Sequence, residues 1–267
     1  MGKTQINCLI TLSVCSTIVD FMVMNKTEIV FPRDRVVHIF ISVLIADIFI
    51  CFFRNIDFSK GIIGYISVAA LICKMFYTMC AFIRYFHIFH GSNIVAVLIF
   101  TVISIMFSYK SDILRIGQIY GLFMLFNILL AVMIIVLGAD KFNAANIYAN
   151  DQKVIFSVSK LYMFLDFFAL AVIIPKGKIR VYVQKKYLWV SAGFIIFTIV
   201  FQGLSVNGNV MYSISPLQGL FQIYSGNTIK RFDYYLAIIQ TINYFAAVIL
   251  YTEALKKTYV FRKADYE

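Results

Sequence analysis

The chain alternates long apolar runs with short polar segments, and each run has about the length of a membrane-spanning helix. Such a helix needs about 20 predominantly apolar residues. The runs are continuous, whereas the strands of an outer-membrane barrel alternate apolar and polar residues. The pattern predicts an all-α integral membrane protein with about eight transmembrane helices: Ile6–Met24, Val36–Phe53, Gly61–Ile88, Asn93–Tyr109, Leu114–Leu137, Val154–Ile174, Tyr187–Ser205 and Tyr234–Leu255. Because Asn93–Tyr109 is short, seven spans are the alternative.

The composition explains why lipid must be the solvent. Of the 267 residues, 61% are hydrophobic and 14% are charged, and the mean hydropathy is +0.85. A soluble domain carries roughly a quarter charged residues. Too few polar side chains remain to cover a water-facing surface, so the chain is expected to form a single membrane domain over residues 1–267.

The net charge of +11 reflects topology rather than nucleic-acid binding. If the N-terminus is inside, the cytoplasmic segments carry 14 Lys and Arg and the outer segments carry 8, while Lys74 and Arg84 lie within the third span. Cytoplasmic loops are enriched in basic residues, which favours both termini inside. Because the charges are scattered among short loops, no nucleic-acid partner is expected.

The chain has no motif that indicates an enzyme, a metal site or a cofactor. GxSxG, HExxH and P-loop patterns are absent from the sequence, and no CxxC occurs among the five cysteines. The cysteines all fall inside or at the end of apolar runs, where small apolar core residues are expected. We therefore predict no catalytic residue, no metal and no cofactor.

Ionisable residues inside the spans are the informative positions. They are costly in hydrocarbon and normally face the bundle interior, a cavity or a partner. Lys74 and Asp166 lie at similar depth, which predicts an ion pair between the third and sixth spans, with separate snorkelling as the alternative. Asp47 lies closer to the cytoplasmic side, where an interfacial role is expected. Asp20 lies about one turn from the outer end of the first span and belongs either to a ligand-facing patch or to the interface, where it would reach headgroup water. Glu253 is expected to pair with a neighbouring lysine, Lys256 or Lys257.

Polar side chains concentrate on one face of three spans. A shared cavity would satisfy all three faces, and its predicted ligand-binding residues are Ser16, Thr17, Asp20, Tyr162, Asp166, Gln240, Thr241 and Tyr244. For the last three, hydrogen bonding between helices without a ligand is the alternative. The connection from Val206 to Arg231 has an apolar centre and is expected to pack on the bundle.

The order of features resembles the B subunit of spore nutrient-germinant receptors, the endospore germination permease family of the amino acid–polyamine–organocation transporter superfamily. The resemblance is clearest in the C-terminal half and forms a loose pattern over most of the chain. It rests on these segments: Lys3-Thr-Gln5, Ser111-Asp-Ile-Leu-Arg115-Ile-Gly, Asn143-Ala-Ala-Asn146-Ile147, Gly203-Leu-Ser-Val-Asn-Gly208, Ser215-Pro216-Leu217, Ile229-Lys-Arg-Phe-Asp233, Ala254-Leu-Lys-Lys and Val260-Phe-Arg-Lys-Ala-Asp265-Tyr266.

The resemblance implies a fold of two inverted five-helix repeats. The first repeat would span residues 4–138, and residues 154–267 would form an incomplete second repeat, because the family continues through two more helices. The implied function is sensing of a small nutrient, such as an amino acid, by a membrane subunit in the spore inner membrane. Its partners would be a large membrane subunit and a lipoprotein subunit of the receptor.

Departures from the family pattern affect the functional expectation. Ser16 and Thr17 stand where the family has glycine at the break of its first helix, and no glycine lies between Val154 and Ile174. Unbroken helices would leave only side chains to bind a zwitterion, which favours sensing over transport. The alternatives are an amino-acid transporter of the same superfamily and a degenerate structural membrane protein without a ligand.

The charge asymmetry predicts the topology of the chain. In a variant without the five native cysteines, a single cysteine at Glu267 should react with an impermeant thiol reagent only from the cytoplasmic side. A cysteine within residues 207–228 should react only from the outside. Labelling of the 207–228 segment from the cytoplasmic side alone would refute the orientation.

Overall fold

The computed structural model of the protein describes residues 2–24, 32–58, 61–90, 94–110, 113–138, 142–143, 162–205 and 232–264. Regular structure in these ranges is entirely helical. In chain order the helices are α1 (Lys3–Met24), α2 (Pro32–Phe52), α3 (Gly61–His90), α4 (Ile94–Lys110), α5 (Ile113–Gly138), α6 (Asp166–Ile173), α7 (Lys178–Ser205) and α8 (Phe232–Ala264).

The helices confirm the all-α membrane interpretation at a coarse level. Four described segments are long and apolar enough to cross a membrane: Lys3–Phe21, Gly61–Ile83, Lys178–Phe201 and Ala237–Thr258. Val36–Phe52, Ile94–Lys110 and Ile116–Leu129 are shorter apolar helical segments. The chain is therefore a multi-pass membrane protein by length and composition, while the number of eight spans stays a prediction.

Helix ends differ from the predicted runs where charged residues continue a helix. The seventh run was expected to begin at Tyr187, but α7 begins at Lys178, and α8 continues past Leu255 to Ala264. Apolar content marks only the part of a helix that matches hydrocarbon, and long basic side chains allow the helix to extend beyond it. The predicted packed connection 206–231 and residues 154–161 of the sixth run lie outside the described residues.

α1 occupies the centre of the described bundle. It packs against α3, α5, α6, α7 and α8, and its core residues include Leu9, Leu12, Val14, Cys15 and Ile18. The segment Lys3–Phe21 is 72% buried, whereas the more apolar Gly61–Ile83 is only 33% buried. The most apolar segment thus has the most surface left for lipid, and the segment richer in polar groups is enclosed by protein.

A close approach between α1 and α5 depends on the absence of a side chain at Gly117. A Cβ atom built at this position would lie 2.1 Å from both Cβ and Sγ of Cys8. Small residues at helix interfaces of membrane proteins allow such close packing. At Gly121, one turn further along α5, an added Cβ meets nothing within 4 Å.

A buried arginine joins three segments on one side of the bundle. Arg180, near the start of α7, is 1% exposed. Its guanidinium donates to the backbone oxygens of Phe53, Arg54 and Ile56, which follow α2, and to that of Ala171 in α6. Helix ends leave carbonyl groups without intrahelical donors. Arg180 supplies donors to these carbonyls, so it is a structural residue rather than a free loop charge.

The contact at Gly117 predicts a steric effect on stability. Gly117→Ala should lower the thermal midpoint of the purified protein, corresponding to about 1–3 kcal/mol of overpacking. Gly121→Ala is the matched control and should be neutral or slightly stabilising, because alanine favours helix. Adding Cys8→Gly should restore part of the stability of the Gly117→Ala variant, because it removes the contacts with Cβ and Sγ while Cα of residue 8 stays 2.9 Å away. Equal midpoints for the two alanine variants would contradict the close approach.

Candidate functional site

The site begins with a polar face on the central helix. Ser13, Ser16, Thr17 and Asp20 of α1 are all fully buried. Residues three or four apart share one face of an α-helix, so the four side chains form a stripe. Because α1 is surrounded by other helices, this stripe meets protein rather than lipid.

Asp20 is held by two residues of α3. The Lys74 ammonium forms a salt bridge with Asp20 Oδ2, and the Thr78 hydroxyl donates to Asp20 Oδ1 at 3.1 Å. Lys74 is 5% exposed and Thr78 is 1% exposed. The sequence allowed Asp20 to be an interfacial acid, but its full burial and its lysine partner place it in an ion pair inside the bundle.

The Lys74 ammonium also contacts the chain just before α6. It donates to the backbone oxygen of Tyr162 at 3.0 Å and lies 3.9 Å from the centre of the Tyr162 ring. An ammonium over an aromatic face is attracted by the ring quadrupole. Tyr77, also on α3, packs its ring 4.3 Å from that of Tyr162. Lys74 therefore links α1, α3 and this preceding turn.

The backbone in front of Asp166 is not a regular α-helix. The amide of Leu165 donates to the oxygen of Tyr162 at 3.2 Å, and that of Phe168 donates to Leu165 at 2.9 Å. These are bonds between residues three apart, tighter than the α-helical pattern. Tight turns therefore lead into α6, and the carbonyl of Tyr162 accepts from a side chain. Residues 154–161, which would show whether a helix precedes these turns, lie outside the described residues.

Asp166, the first residue of α6, joins four helices through hydroxyl groups. Tyr251 of α8 donates to Asp166 Oδ1 at 2.6 Å, and the hydroxyl of Thr17 lies 3.3 Å from Asp166 Oδ2. Thr17 also contacts the hydroxyl of Tyr187 in α7 at 2.6 Å. Ser16 contacts the hydroxyl of Tyr251 at 2.8 Å. All five side chains are fully buried.

Together these groups form what we call the buried polar network, which comprises Ser16, Thr17, Asp20, Lys74, Thr78, Tyr162, Asp166, Tyr187 and Tyr251. It contains two carboxyl groups, one ammonium group and several hydroxyl groups, all inside a bundle of membrane helices. Such groups in membrane segments are typical of ligand, ion or proton sites. Their chemistry suits the binding of a small polar or charged species.

The predicted ion pair between Lys74 and Asp166 is corrected by the structure. The salt-bridge partner of Lys74 is Asp20, and Asp166 receives hydrogen bonds from hydroxyl groups. Asp166 remains near enough for an electrostatic interaction with the ammonium. The prediction compared the position of each residue within its apolar run. The helices differ in length, with 30 residues in α3 and 22 in α1, so equal positions within two runs need not lie at equal depth. Position within each run is therefore an uncertain measure of membrane depth.

The structure brings five of the predicted ligand-binding residues into one network, namely Ser16, Thr17, Asp20, Tyr162 and Asp166. That they bind a ligand stays a prediction.

The other three, on α8, lie away from the point where this helix meets the network. Tyr244 is about 10 Å along the axis from Tyr251, and Gln240 is about 16 Å away.

Two of these α8 hydroxyls already have partners within the bundle. Tyr244 contacts the hydroxyl of Thr101 in α4 at 2.7 Å and stacks on Phe82 of α3 at 4.3 Å. Thr241 donates to the backbone oxygen of Ala237 in its own helix at 2.8 Å. These contacts match the alternative interpretation, in which polar residues of the last span connect helices. That Gln240, Thr241 and Tyr244 line a ligand cavity stays a prediction.

Sequence reasoning missed Thr78, Tyr187 and Tyr251. A tyrosine counts as apolar in a hydropathy profile, yet a buried tyrosine hydroxyl usually has a hydrogen-bond partner. On α7, Gln184, Tyr187 and Ser191 follow one another at helical spacing and are all buried. Examining tyrosines together with serine, threonine and glutamine on helical faces would have identified Tyr187 as part of a polar face.

Two other ion pairs lie nearer the edges of the bundle. Glu253 pairs with Lys256 at 2.6 Å, as predicted, and also accepts from Ser108 of α4 at 2.8 Å. Asp47 of α2 pairs with Lys185 of α7 at 2.9 Å, with their side chains 25% and 37% exposed. The second pair fits the surface position expected for Asp47.

Comparison with protein-family models, curated proteins and solved structures finds no match to this chain.

The buried ion pair predicts a non-additive response to substitution. Asp20→Asn or Lys74→Met alone should lower stability by about 3–5 kcal/mol, because each removes one partner of a buried ion pair. The double variant should be considerably more stable than the sum of the single effects implies. Thermal unfolding of the protein in lipid nanodiscs measures these differences.

The pair between Asp47 and Lys185 supplies the control for this cycle. Asp47→Asn and Lys185→Met remove a partly exposed pair of the same charge type, and each should change stability by about 0–1 kcal/mol. Additive effects at Asp20 and Lys74, similar in size to this control, would contradict the role assigned to the buried pair.

Proposed function

We propose that this chain is a membrane subunit that senses a small nutrient, such as an amino acid, through the buried polar network. The observation that carries the proposal is the meeting of two carboxyl groups and one ammonium group beside the tight turns that precede α6. Intramembrane ionisable residues commonly mark ligand or ion pathways. Discontinuous helices in transporter-like folds expose groups to such ligands. The loose resemblance to germinant-receptor B subunits supports the same class of ligand.

The network offers groups of both signs for a zwitterion. The ammonium of an amino acid is complementary to the carboxylates of Asp20 and Asp166, and its carboxylate is complementary to Lys74. In the described arrangement these groups are buried, with Lys74 bonded to Asp20 and Asp166 bonded to hydroxyl groups. A ligand would therefore exchange internal contacts for its own, and binding would favour a conformation in which the helices have moved apart. This coupling of binding to helix position is what a sensor requires.

The wider organisation belongs to the same proposal. Eight membrane spans, inverted repeats over residues 4–138 and 154–267, and cytoplasmic termini would place the network near mid-membrane. The chain would reside in the spore inner membrane. It would act with a large membrane subunit and a lipoprotein subunit, which would pass the signal on.

Amino-acid transport is the second candidate, and the interrupted backbone before α6 favours it. Tight turns replace regular helix between Tyr162 and Asp166, and broken helices near mid-membrane are typical of transporters with inverted repeats. Uptake of labelled amino acid into proteoliposomes containing only this chain would favour transport. Nutrient-dependent germination without uptake would favour sensing.

Thr17 and Thr241 provide a matched pair of substitutions for the sensing proposal. Thr17 contacts Asp166 and Tyr187, whereas Thr241 donates only within its own helix among the contacts described. In spores that carry this chain, Thr17→Val should raise the nutrient concentration needed for germination about tenfold, which corresponds to about 1.4 kcal/mol. Thr241→Val should respond like the parent. Immunoblots establish equal protein levels.

Tyr162→Phe extends the test to the turn before α6. The hydroxyl of Tyr162 lies 3.4 Å from the backbone oxygen of Lys74, so its loss should also shift the response while the ring stays in place. If Thr17→Val and Tyr162→Phe both germinate like the parent, the network only holds helices together. A structural role without a ligand would then replace the sensing proposal.

A further inference from the structure

The buried polar network contains one more acid than base. Asp20 and Asp166 are both fully buried, and Lys74 is the ammonium that interacts with both. The tyrosines that face Asp166, namely Tyr162, Tyr187 and Tyr251, are neutral as phenols. If both carboxyl groups were ionised, the described network would enclose one uncompensated negative charge, at a penalty of several kcal/mol.

The two acids have different partners. Asp20 receives the ammonium of Lys74 and the hydroxyl of Thr78, which stabilise a carboxylate. The hydrogen-bond partners of Asp166 are neutral hydroxyls, with Tyr251 at 2.6 Å, Thr17 at 3.3 Å and Ser16 alongside. The ammonium of Lys74 therefore compensates the charge of Asp20. The carboxylate of Asp166 would have no such compensation within the described network.

Hydrogen counting identifies the oxygen that would carry a proton. Thr17 has one hydroxyl hydrogen and three partners: the hydroxyl of Tyr187 at 2.6 Å, the backbone oxygen of Ser13 at 3.0 Å and, most distant, Asp166 Oδ2 at 3.3 Å. If Thr17 gives its hydrogen to Ser13 or Tyr187, a hydrogen bond between Thr17 and Asp166 requires a hydrogen on the carboxyl group. A proton on Oδ2 would donate to the lone pair of Thr17 while Oδ1 still accepts from Tyr251.

We infer that Asp166 binds a proton in this closed arrangement and releases it when the network opens. The site would therefore couple helix movement to proton uptake, with Oδ2 of Asp166 as the proton-binding atom. A metal ion fits less well, because cations such as calcium and magnesium bind oxygen ligands at about 2.0–2.6 Å, whereas direct hydroxyl contacts already occupy both oxygens of Asp166. The inference concerns the same network as the proposed nutrient site, but its test requires no nutrient.

Infrared spectroscopy measures the proton directly. In lipid at neutral pH, the protein should show the carbonyl-stretch band of a protonated carboxylic acid, and Asp166→Asn should abolish it. Asp47→Asn removes a partly exposed acid that pairs with Lys185 and should leave the band in place. Absence of the band from the parent protein, or its survival in Asp166→Asn, would overturn the inference.

Stability separates the two acids independently. Asparagine can accept from Tyr251 and donate to Thr17, as a protonated Asp166 would. Asp166→Asn should therefore fold with a thermal midpoint equal to or above that of the parent, whereas Asp20→Asn should be clearly less stable.

Stability of the parent should fall as pH rises, because the native state holds a proton that the unfolded chain releases. Asp166→Asn should lose that part of the pH dependence.

Three outcomes would refute proton binding at Asp166. They are failure of Asp166→Asn to fold, destabilisation as large as that of Asp20→Asn, and a thermal midpoint that rises with sodium in place of choline. The last outcome would assign the site to a metal ion. If Asp166 is protonated but the chain does not respond to nutrients, proton binding is supported and sensing is refuted. If Asp166 is ionised and the chain responds to nutrients, sensing is supported and proton binding is refuted.

Discussion

The ion pair between Lys74 and Asp20 constrains the rest of the described bundle. A single charge left unpaired in hydrocarbon is unfavourable by several kcal/mol, so both residues must be enclosed by protein and must meet. The pair is 5% exposed on the lysine side and fully buried on the aspartate side. Satisfying it requires α1 to lie against α3, and the other polar groups of α1 then require partners from α6, α7 and α8.

This requirement explains the distribution of apolar surface. The hydrocarbon can solvate α3 and α4 on their apolar faces, and Ile62, Ile66 and Phe76 of α3 and Val95 and Met106 of α4 are exposed. It cannot solvate the polar stripe of α1. In water these exposed apolar side chains of α3 and α4 would be unfavourable, whereas lipid can solvate them.

Sequence predicted the features that depend on one helix at a time, namely the presence of a helix and which of its faces is polar. The continuous runs predicted helices in all described regions, because apolar length and helical backbone hydrogen bonding are local properties. The polar face of Ser16, Thr17 and Asp20 was also correctly expected to avoid lipid. Pairing between helices could not be predicted, because it depends on tilt and relative height. Asp20 rather than Asp166 is therefore the partner of Lys74.

Two features of the site depend on properties that hydropathy does not measure. Tyr187 and Tyr251 were not predicted as site residues, because tyrosine combines an apolar ring with a hydroxyl group that needs a partner. The tight turns before Asp166 were not predicted because glycine was taken as the sign of a broken helix. The structure instead replaces α-helical bonds with tighter turns around Tyr162 and Leu165, and Lys74 donates to one of the carbonyls.

Contact with lipid tests the central claim that α1 is enclosed by the other helices. A phospholipid carrying a photoactivated carbene group would label residues that face the hydrocarbon, and mass spectrometry would locate the labels. The structure predicts labelling of exposed residues on α4, such as Leu98, Val102 and Met106, and protection of Leu9–Phe21 on α1. Labelling of Leu9–Phe21 as strong as that of α4 would contradict the central position of α1 and the network built around it.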